Sequence, residues 1–448
     1  MSSPANPAAD PADSGSLVGL ARLARPELVA RLAEIFPASV HRDAVAEAAQ
    51  VTDRGGRSAA IARLDAIDPA AYARSRNHVA GAVSRLSPWI RHGVLSLAEV
   101  RDAALARVSC AAEAEKFVSE LGWRDYWRQV QAALGDRIGA DIEPPARAAW
   151  TGPPLDTMPA DVLAASTGMA CIDAFVRRLH DTGWLHNHER MWLASWLVHV
   201  RGVQWRAGAD WFLAHLLDGD PASNHLSWQW VAGTFAAKPY LFNRENLETY
   251  TSGAYCRPCP LLGRCDVEGS YETLDARLFA PAPTTPRPPL RIRPAPPWTA
   301  AAAGPPRRPL VWLTLDSASA GGPAATAWPE APRLFVVDRR WLAAERPTLK
   351  RLVFLCECLA DVRDVEVRVG DPVEIVPARA AALGCDAVAV ADTPCPVVRR
   401  AAATIAAAVP LHVVAWPPFC DRGRVDDLGR FSRYWQRVSR SALRPTGS

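Results

Sequence analysis

The sequence predicts an all-helical domain followed by a parallel α/β domain. Between residues 17 and 280 the apolar residues recur every three or four positions, as they do on one face of a helix. Beyond residue 310, the short apolar runs VWLTL, RLFVV, VEVRV, AVAVA and LHVVA alternate with helical segments, which is typical of a parallel sheet covered by helices. Residues 281–309 are rich in proline and lack periodicity, so we predict a linker between the two domains.

The two ends of the chain are expected to lie outside these domains. Residues 1–16 are small, polar and proline-bearing, with neither the basic nor the apolar region of a signal peptide, which indicates a disordered leader. The α/β domain is predicted to span residues 310–440, with a tail at 441–448. No apolar run approaches the length of a membrane span. We therefore expect a cytoplasmic monomer that does not contact a membrane.

Composition limits the function only weakly. The net charge of +4 is small for 448 residues and does not by itself indicate a nucleic-acid partner. The ten cysteines are expected to be metal ligands or small buried side chains, because disulfides are rare in a reducing compartment. Eleven of the seventeen tryptophans fall between Trp89 and Trp230, where indoles can fill a core or relay electrons.

Two segments in the first third combine polar groups with helical periodicity. Ser84 and Ser87 come directly before the start of a predicted helix, where hydroxyls and free backbone N–H groups form an anion site. An ordinary capped helix has the same pattern. In residues 114–130, Glu120 and Trp123 are one turn apart and so share a face of another predicted helix, although a tryptophan there is more often part of a core.

The stretch from residue 167 to residue 240 predicts a polar, tryptophan-rich pocket. HNHER, DGD, ASNH and WQW interrupt its helical periodicity and gather polar groups at predicted helix ends. Arg190, at the start of one helix, and Asp218, in a later loop, are able to form a charge pair that seals this pocket.

The motifs of this stretch are specific in kind and order: TGW-x-H-N-x-x-R-M, a tryptophan before a gap, D-G-D-x-x-S-N and W-x-W. In this they resemble the flavin-binding core of the photolyase and cryptochrome family. The resemblance implies a helical FAD-binding domain and a Rossmann-like antenna domain. Because the family carries the antenna domain first, the order here indicates a circularly permuted chain, which is tolerated when a linker spans the old termini.

The first strand of the α/β domain departs from the family pattern. Thr314, Leu315 and Asp316, followed by SASAGG, stand where the family has W-F-R-R-D-L-R. This difference counts against an antenna chromophore held by those arginines.

The resemblance implies which residues hold FAD. Ser84, Leu86 and Ser87 match the family's G-T-S-x-L-S-P-x-L motif, which binds the FAD diphosphate, whereas Val83 stands where threonine is usual. Asn224 matches the position that faces flavin N5. The implied cofactor-binding residues are Tyr72, Ser84, Arg85, Leu86, Ser87, Arg124, Asn187, Arg190, Asp218, Asp220 and Asn224.

The resemblance also implies the reaction, which is the splitting of cyclobutane pyrimidine dimers in ultraviolet-damaged DNA by light-driven electron transfer from reduced FAD. By the family's E-L-x-W-R motif, Glu120 hydrogen-bonds a flipped-out pyrimidine and Trp123 stacks on it. Asn187 stands where the (6–4) photoproduct branch needs a histidine, which favours the cyclobutane dimer. The implied catalytic residues are Glu120, Trp123, Asn187, Met191 and Asn224, and the implied electron-transfer residues are Trp228, Trp205 and Trp150.

The run YCRPCPLLGRC at residues 255–265 carries a second chemical signature. Three thiolates in C-x2-C-x5-C spacing suit one metal centre but do not complete a four-ligand set. Iron–sulfur photolyases have one cysteine before the helix that begins HNHER and three after a K-P-Y segment. This resemblance implies a [4Fe-4S] cluster on Cys171, Cys256, Cys259 and Cys265, with a zinc site or unligated thiols as the alternatives.

Three alternative functions stay open. A blue-light cryptochrome photoreceptor keeps FAD and the tryptophans but does not repair DNA. The iron–sulfur branch of the family is largely of the (6–4) type, so the four cysteines favour a (6–4) photolyase. Asn187 favours the cyclobutane dimer instead. A metal-stabilised helical DNA-binding protein would hold no flavin.

Overall fold

The computed structural model of the protein describes residues 20, 23–39, 44–147, 154–281, 287–299 and 304–445. Within these ranges, helices occupy the chain up to residue 278, and a parallel five-stranded sheet with its own helices begins at residue 309. The predicted fold class is therefore confirmed. Of the described helices, none combines the length and the apolar character that crossing a bilayer requires.

Fourteen helices of the described chain precede the sheet. They are α1 (Arg25–Ile35), α2 (Ala44–Gln50), α3 (Arg57–Asp65), α4 (Pro69–Ser75), α5 (Ser87–Arg91), α6 (Leu97–Leu105), α7 (Ala111–Leu134), α8 (Ala160–Leu163), α9 (Ala170–Thr182), α10 (Asn187–Ser195), α11 (Trp205–His215), α12 (Pro221–Ala232), α13 (Arg244–Thr251) and α14 (Tyr271–Leu278). Local signals set several of their ends. Ser96 caps α6 by accepting a hydrogen bond from the backbone N–H of Glu99, and His186 caps α10 in a capping box with Glu189. Gly183 ends α9 in the left-handed conformation, with φ of 65°, which glycine adopts without steric cost.

The sheet is doubly wound. Its strands are β1 (Pro309–Leu313), β2 (Arg333–Asp338), β3 (Val365–Gly370), β4 (Ala387–Ala391) and β5 (Leu411–Val414), in the order β3-β2-β1-β4-β5 and all parallel. Its helices are α15 (Pro323–Ala327), α16 (Arg339–Glu345), α17 (Leu349–Ala360), α18 (Pro372–Ala382), α19 (Pro396–Ile405) and, after β5, α20 (Phe431–Ala442). The central strands β1 and β4 are buried along their whole length, which explains their continuous apolar sequences. The winding reverses between these two strands, so their carboxyl ends open the crevice at which such sheets bind ligands.

The first two helices cover the α/β domain. Leu28 and Leu32 of α1 belong to the same apolar cluster as Leu352 of α17, and Arg25 pairs with Glu357 of α17 at 2.6 Å. The start of the helical domain at residue 17 stays a prediction. An amphipathic stripe indicates that a helix is buried but not which partner buries it.

The last helix, α20, packs against the helical domain. Tyr434 and Val438 of α20 share an apolar cluster with Val118 and Tyr126 of α7. The Tyr126 hydroxyl also donates a hydrogen bond to the Leu428 carbonyl at 2.8 Å. The two ends of the chain thus tie the helical and α/β parts together.

Candidate functional site

Two buried charge pairs form the centre of the predicted pocket. Arg190, in the first turn of α10, lies 3.1 Å from Asp218, and Arg124, in the middle of α7, lies 3.2 Å from Asp220. Both aspartate side chains are buried, in the loop between α11 and α12. The predicted pair of Arg190 and Asp218 is therefore present. A second pair beside it makes the pocket strongly polar.

The arginines keep both aspartates ionised. Burial acts to raise the pKa of Asp218, but the charge of Arg190 and a hydrogen bond from Ser87 outweigh it, so the pKa is lowered. Burial opposes the shift at Asp220 too, and the charges of Arg124 and Arg91 lower its pKa to about 2. The pocket consequently holds two fixed negative charges at neutral pH, each compensated by arginine.

Several buried polar atoms of the pocket lack a partner among the described residues. Asp218 Oδ1 makes no hydrogen bond, and neither does Arg124 Nη2, although that atom lies near Asp220. Buried polar atoms are hydrogen-bonded in the great majority of native structures. The Asp218 oxygen without a partner, beside an Arg124 nitrogen that has an ion pair but no hydrogen bond, therefore indicates that a polar ligand completes the site. FAD, which offers both donors and acceptors, fits this arrangement.

The segment Ser84–Ser87 reaches the pocket from a second side. As predicted, a helix begins here, and the Ser87 hydroxyl bonds to Asp218. Arg85 has a positive φ of 55°, and its guanidinium lies 4.2 Å from the centre of the Trp184 ring and 2.8 Å from Asp53. Arg85 thus already has two partners. Leu86 is buried, Ser84 is half-buried, and Tyr72 packs edge-on against Phe117 at 5.1 Å.

Glu120 and Trp123 lie on α7, one turn apart, as predicted. Glu120 is held by two cations, Arg76 at 3.1 Å and Lys116 at 3.3 Å. One face of the Trp123 ring is covered by Phe431 of α20, whose ring centre is 3.8 Å away at an angle of 13°. Trp127 also lies close to the ring, with the ring centres 5.0 Å apart, and Trp123 is half-buried, so a base is able to stack only on the part of the ring that these neighbours leave uncovered. The sequence offered no sign of the contact with Phe431, because 308 residues separate the two rings (431 − 123).

The polar residues at α10 and α12 differ in their contacts and in their burial. The Asn187 amide donates to the Met191 sulfur at 3.2 Å, and Asn187 is exposed. The Asn224 amide donates to the Ala209 carbonyl at 2.8 Å. His186 is fully buried, and its burial lowers its pKa to about 4, so it is neutral at physiological pH.

The two tryptophans predicted for electron transfer lie close together in the core. Trp205 is the first residue of α11, and Gly208 lies one turn after it on the same helix. The Trp228 ring packs so tightly against Gly208 that a Cβ added to this glycine would lie 2.3 Å from the ring. Both indoles are nearly buried, and Trp205 Nε1 donates to Asp141 at 2.7 Å. Trp150, the predicted third member, lies outside the described residues. The order of electron transfer stays a prediction.

The four predicted metal ligands line one small cavity. Cys171, in the first turn of α9, faces Cys256, Cys259 and Cys265, which follow α13. Among the described residues, however, no three or more His, Cys, Asp or Glu side chains are close enough together to hold a metal ion. The four thiols thus line one cavity, but they are not close enough to one another to act together as metal ligands.

A larger cavity, of about 550 Å³, lies between the two domains. It is at the carboxyl ends of β1, β4 and β5, where Asp316, Asp392 and Trp416 line it. From the helical domain α7 contributes Arg124 and Arg128. Arg124 therefore lines this cavity and at the same time pairs with Asp220.

Comparison with known proteins is informative for the helical part. Residues 117–271 match the family model of the FAD binding domain of DNA photolyase. The deoxyribodipyrimidine photo-lyase of Streptomyces griseus is 42% identical over 164 residues, which are 36% of this chain and 35% of that protein. The deoxyribodipyrimidine photo-lyase of a Synechococcus strain is 35% identical over 192 residues, 40% of this chain and 39% of its own. Cryptochrome DASH of Ostreococcus tauri is 33% identical over 218 residues, 45% of this chain and 39% of its own.

The chain spans between 35% and 39% of the length of these three relatives. The segment that matches the family model contains both charge pairs, from Arg124 in α7 to Asp220 before α12. It also contains the buried Asp218 Oδ1, which has no hydrogen-bond partner among the described residues. Residues 117–271 are therefore similar to the FAD-binding domain of the photolyase and cryptochrome family.

Proposed function

We propose that the protein is a DNA photolyase that binds FAD and uses light to split cyclobutane pyrimidine dimers, a carbon–carbon lyase reaction. The observation that carries the proposal is the pair of buried ionised aspartates, each facing an arginine, with Asp218 Oδ1 and Arg124 Nη2 unsatisfied among the described residues. Relatives named deoxyribodipyrimidine photo-lyase support it.

FAD would be held by residues from both sides of the pocket. Asp218 Oδ1 would accept a hydrogen bond from the flavin edge, and Arg124 Nη2 would donate one. Since Asp218 stays ionised at neutral pH, it acts as an acceptor only. When bound, a reduced flavin supplies to the lesion a light-driven electron that opens the cyclobutane ring and is then returned. The protein positions the partners and excludes water.

The lesion would bind beside α7 as a flipped-out pyrimidine pair from damaged DNA. The part of the Trp123 ring that Phe431 and Trp127 leave uncovered would offer stacking worth about 1 to 3 kcal/mol per base, which offsets the few kcal/mol that flipping costs. Glu120, oriented by Arg76 and Lys116, would accept hydrogen bonds from the bases. Asn187 supports the cyclobutane dimer over the (6–4) photoproduct, because an amide cannot act as the proton donor that the second lesion requires.

A cryptochrome photoreceptor is the second candidate, supported by the similarity to cryptochrome DASH of Ostreococcus tauri. The test is to incubate the protein with ultraviolet-treated oligothymidine in the dark and under blue light. Our account predicts that intact thymidines are recovered only in the light, while an oligonucleotide with a (6–4) photoproduct stays unchanged. Dimers that persist under blue light, with FAD bound, would favour the photoreceptor.

We also propose a [4Fe-4S] cluster on the four cysteines that line the small cavity, Cys171, Cys256, Cys259 and Cys265. Thiolates in this number and type suit an iron–sulfur cluster. Protein purified without oxygen is expected to carry about four iron atoms per chain, and Cys256→Ser is expected to lose them. The exposed Cys110 provides the matched control, because Cys110→Ser should keep all its iron. One zinc per chain, or no metal at all, would contradict the cluster.

The order of domains supports a circular permutation. We propose an FAD-binding domain over residues 17–280, in which α1 and α2 serve the α/β domain, a linker at 281–309, and an antenna-like domain at 310–440. The interdomain cavity would be the antenna site, since it lies at the sheet's switch point and has the volume of a small-molecule pocket. Arg128 and Arg399 would supply the positive charge that the first strand lacks.

A further inference from the structure

The α/β domain contacts the loop that carries the two aspartates at the carbonyl of Gly219. This residue stands between the two aspartates that face Arg190 and Arg124. Its oxygen accepts a hydrogen bond from Arg91 Nε at 3.0 Å and another from Arg351 Nη2 at 3.2 Å. Arg351 belongs to α17, on the α/β domain, 132 residues further along the chain.

The Arg351 guanidinium is held rigidly. Its side chain is 3% exposed, Nη1 and Nη2 each lie 3.1 Å from Glu345, and Nη1 also donates to the Leu213 carbonyl. The Trp341 ring lies 5.7 Å from its Cζ. Because Leu213 is in the last turn of α11 and Gly219 lies in the loop after it, one guanidinium joins the end of this helix to the loop that carries the aspartates.

Arg91 ties the same carbonyl to the first strand. Its Nη1 donates to Asp316, three residues after the end of β1, and Asp316 in turn accepts a hydrogen bond from the Thr393 hydroxyl after β4. Both arginines are buried. The loop is therefore fixed from the α/β side by two charged donors whose own positions are fixed.

We infer that Arg351 is a positioning residue of the flavin site, acting on Asp218 and Asp220 through the Gly219 carbonyl. It bonds to the backbone between the two carboxylates and to neither carboxylate itself. If Arg351 is lost, the loop keeps its charges but not its placement, so contacts to the flavin weaken. The inference rests on the proposed binding of FAD, and it makes the α/β domain a structural part of the flavin site.

The first test is the affinity for FAD of Arg351→Ala and Arg351→Lys in the full chain. We expect the dissociation constant, measured by the recovery of FAD fluorescence on release, to rise at least tenfold for Arg351→Ala. It should rise less for Arg351→Lys, which keeps one donor. Arg363→Ala is the matched control on the same domain, because the Arg363 side chain is 71% exposed and pairs only with exposed carboxylates.

A second variant separates positioning from loss of folding. In Gly219→Ala the new Cβ would lie 2.4 Å from Arg351 Nη2, so the alanine displaces the guanidinium without removing a charge. We expect Gly219→Ala to weaken FAD binding in the wild-type background and to have a smaller effect in Arg351→Ala, where the space is free. Circular dichroism should show both variants folded.

Two results would overturn the inference. If Arg351→Ala and Gly219→Ala both bind FAD as tightly as the wild type, the guanidinium does not position the loop, while the proposed function stands. If the wild-type protein itself binds no FAD, the proposed function and this inference fail together.

Discussion

Asp218→Asn is expected to weaken FAD binding by about tenfold to a hundredfold. The substitution keeps the size of the side chain and removes its charge. A hydrogen bond to a charged group is worth about 1.5 to 3 kcal/mol, and the unpaired Oδ1 is the buried acceptor that we assign to the flavin. Arg190, 3.1 Å away, would also lose its counter-charge. Fluorescence titration of the apoprotein with FAD measures the loss.

The matched control for this prediction is Asp161→Asn. Asp161 also pairs with an arginine, Arg201, at 2.8 Å, but its side chain is 40% exposed and lies on α8. Exposed pairs of this kind contribute about 1 kcal/mol or less to stability, and we expect no change in FAD affinity. Equal affinities of Asp218→Asn and the wild type would remove Asp218 from the flavin site.

Trp123→Ala is expected to abolish the preference for damaged DNA while FAD stays bound. The indole is half-buried, with Phe431 stacked on it at 3.8 Å and Trp127 at 5.0 Å, and we assign its uncovered part to the lesion. Losing a stacking platform of about 1 to 3 kcal/mol per base should lower affinity for an ultraviolet-treated oligothymidine by about tenfold to a hundredfold. Affinity for the untreated strand should change little, since it depends on backbone phosphates.

Trp123→Phe provides the graded control, because a phenyl ring keeps a flat face against Phe431. It should retain most of the preference for the damaged strand. If Trp123→Ala keeps the full preference and its FAD, the lesion binds elsewhere and Trp123 belongs to the core, as Trp127 does at 6% exposure.

Local patterns were enough to predict the fold class and part of the site. Continuous apolar runs predicted the buried strands, and the spacing of Glu120 and Trp123 placed them on one helix. The pair of Arg190 and Asp218 followed from opposite charges at predicted helix ends. These features depend on a few neighbouring residues, which a sequence displays directly.

Contacts between distant segments could not be predicted in this way. Phe431 on Trp123 and Arg351 on Gly219 join residues that no periodicity relates. The packing of α1 against α17 could not be predicted either, because the apolar stripe of α1 fits more than one partner. The cysteine spacing suggested a metal, but spacing alone does not bring thiols to ligand distance, and the described residues hold no such group.

The most direct test of the account is the absorption spectrum of the intact protein after purification and incubation with FAD. We predict flavin bands in the blue that persist after free FAD is removed and that are weaker in Asp218→Asn treated in the same way. A colourless protein that cannot be reconstituted with FAD would contradict the account, because the two arginine–aspartate pairs would then serve no flavin.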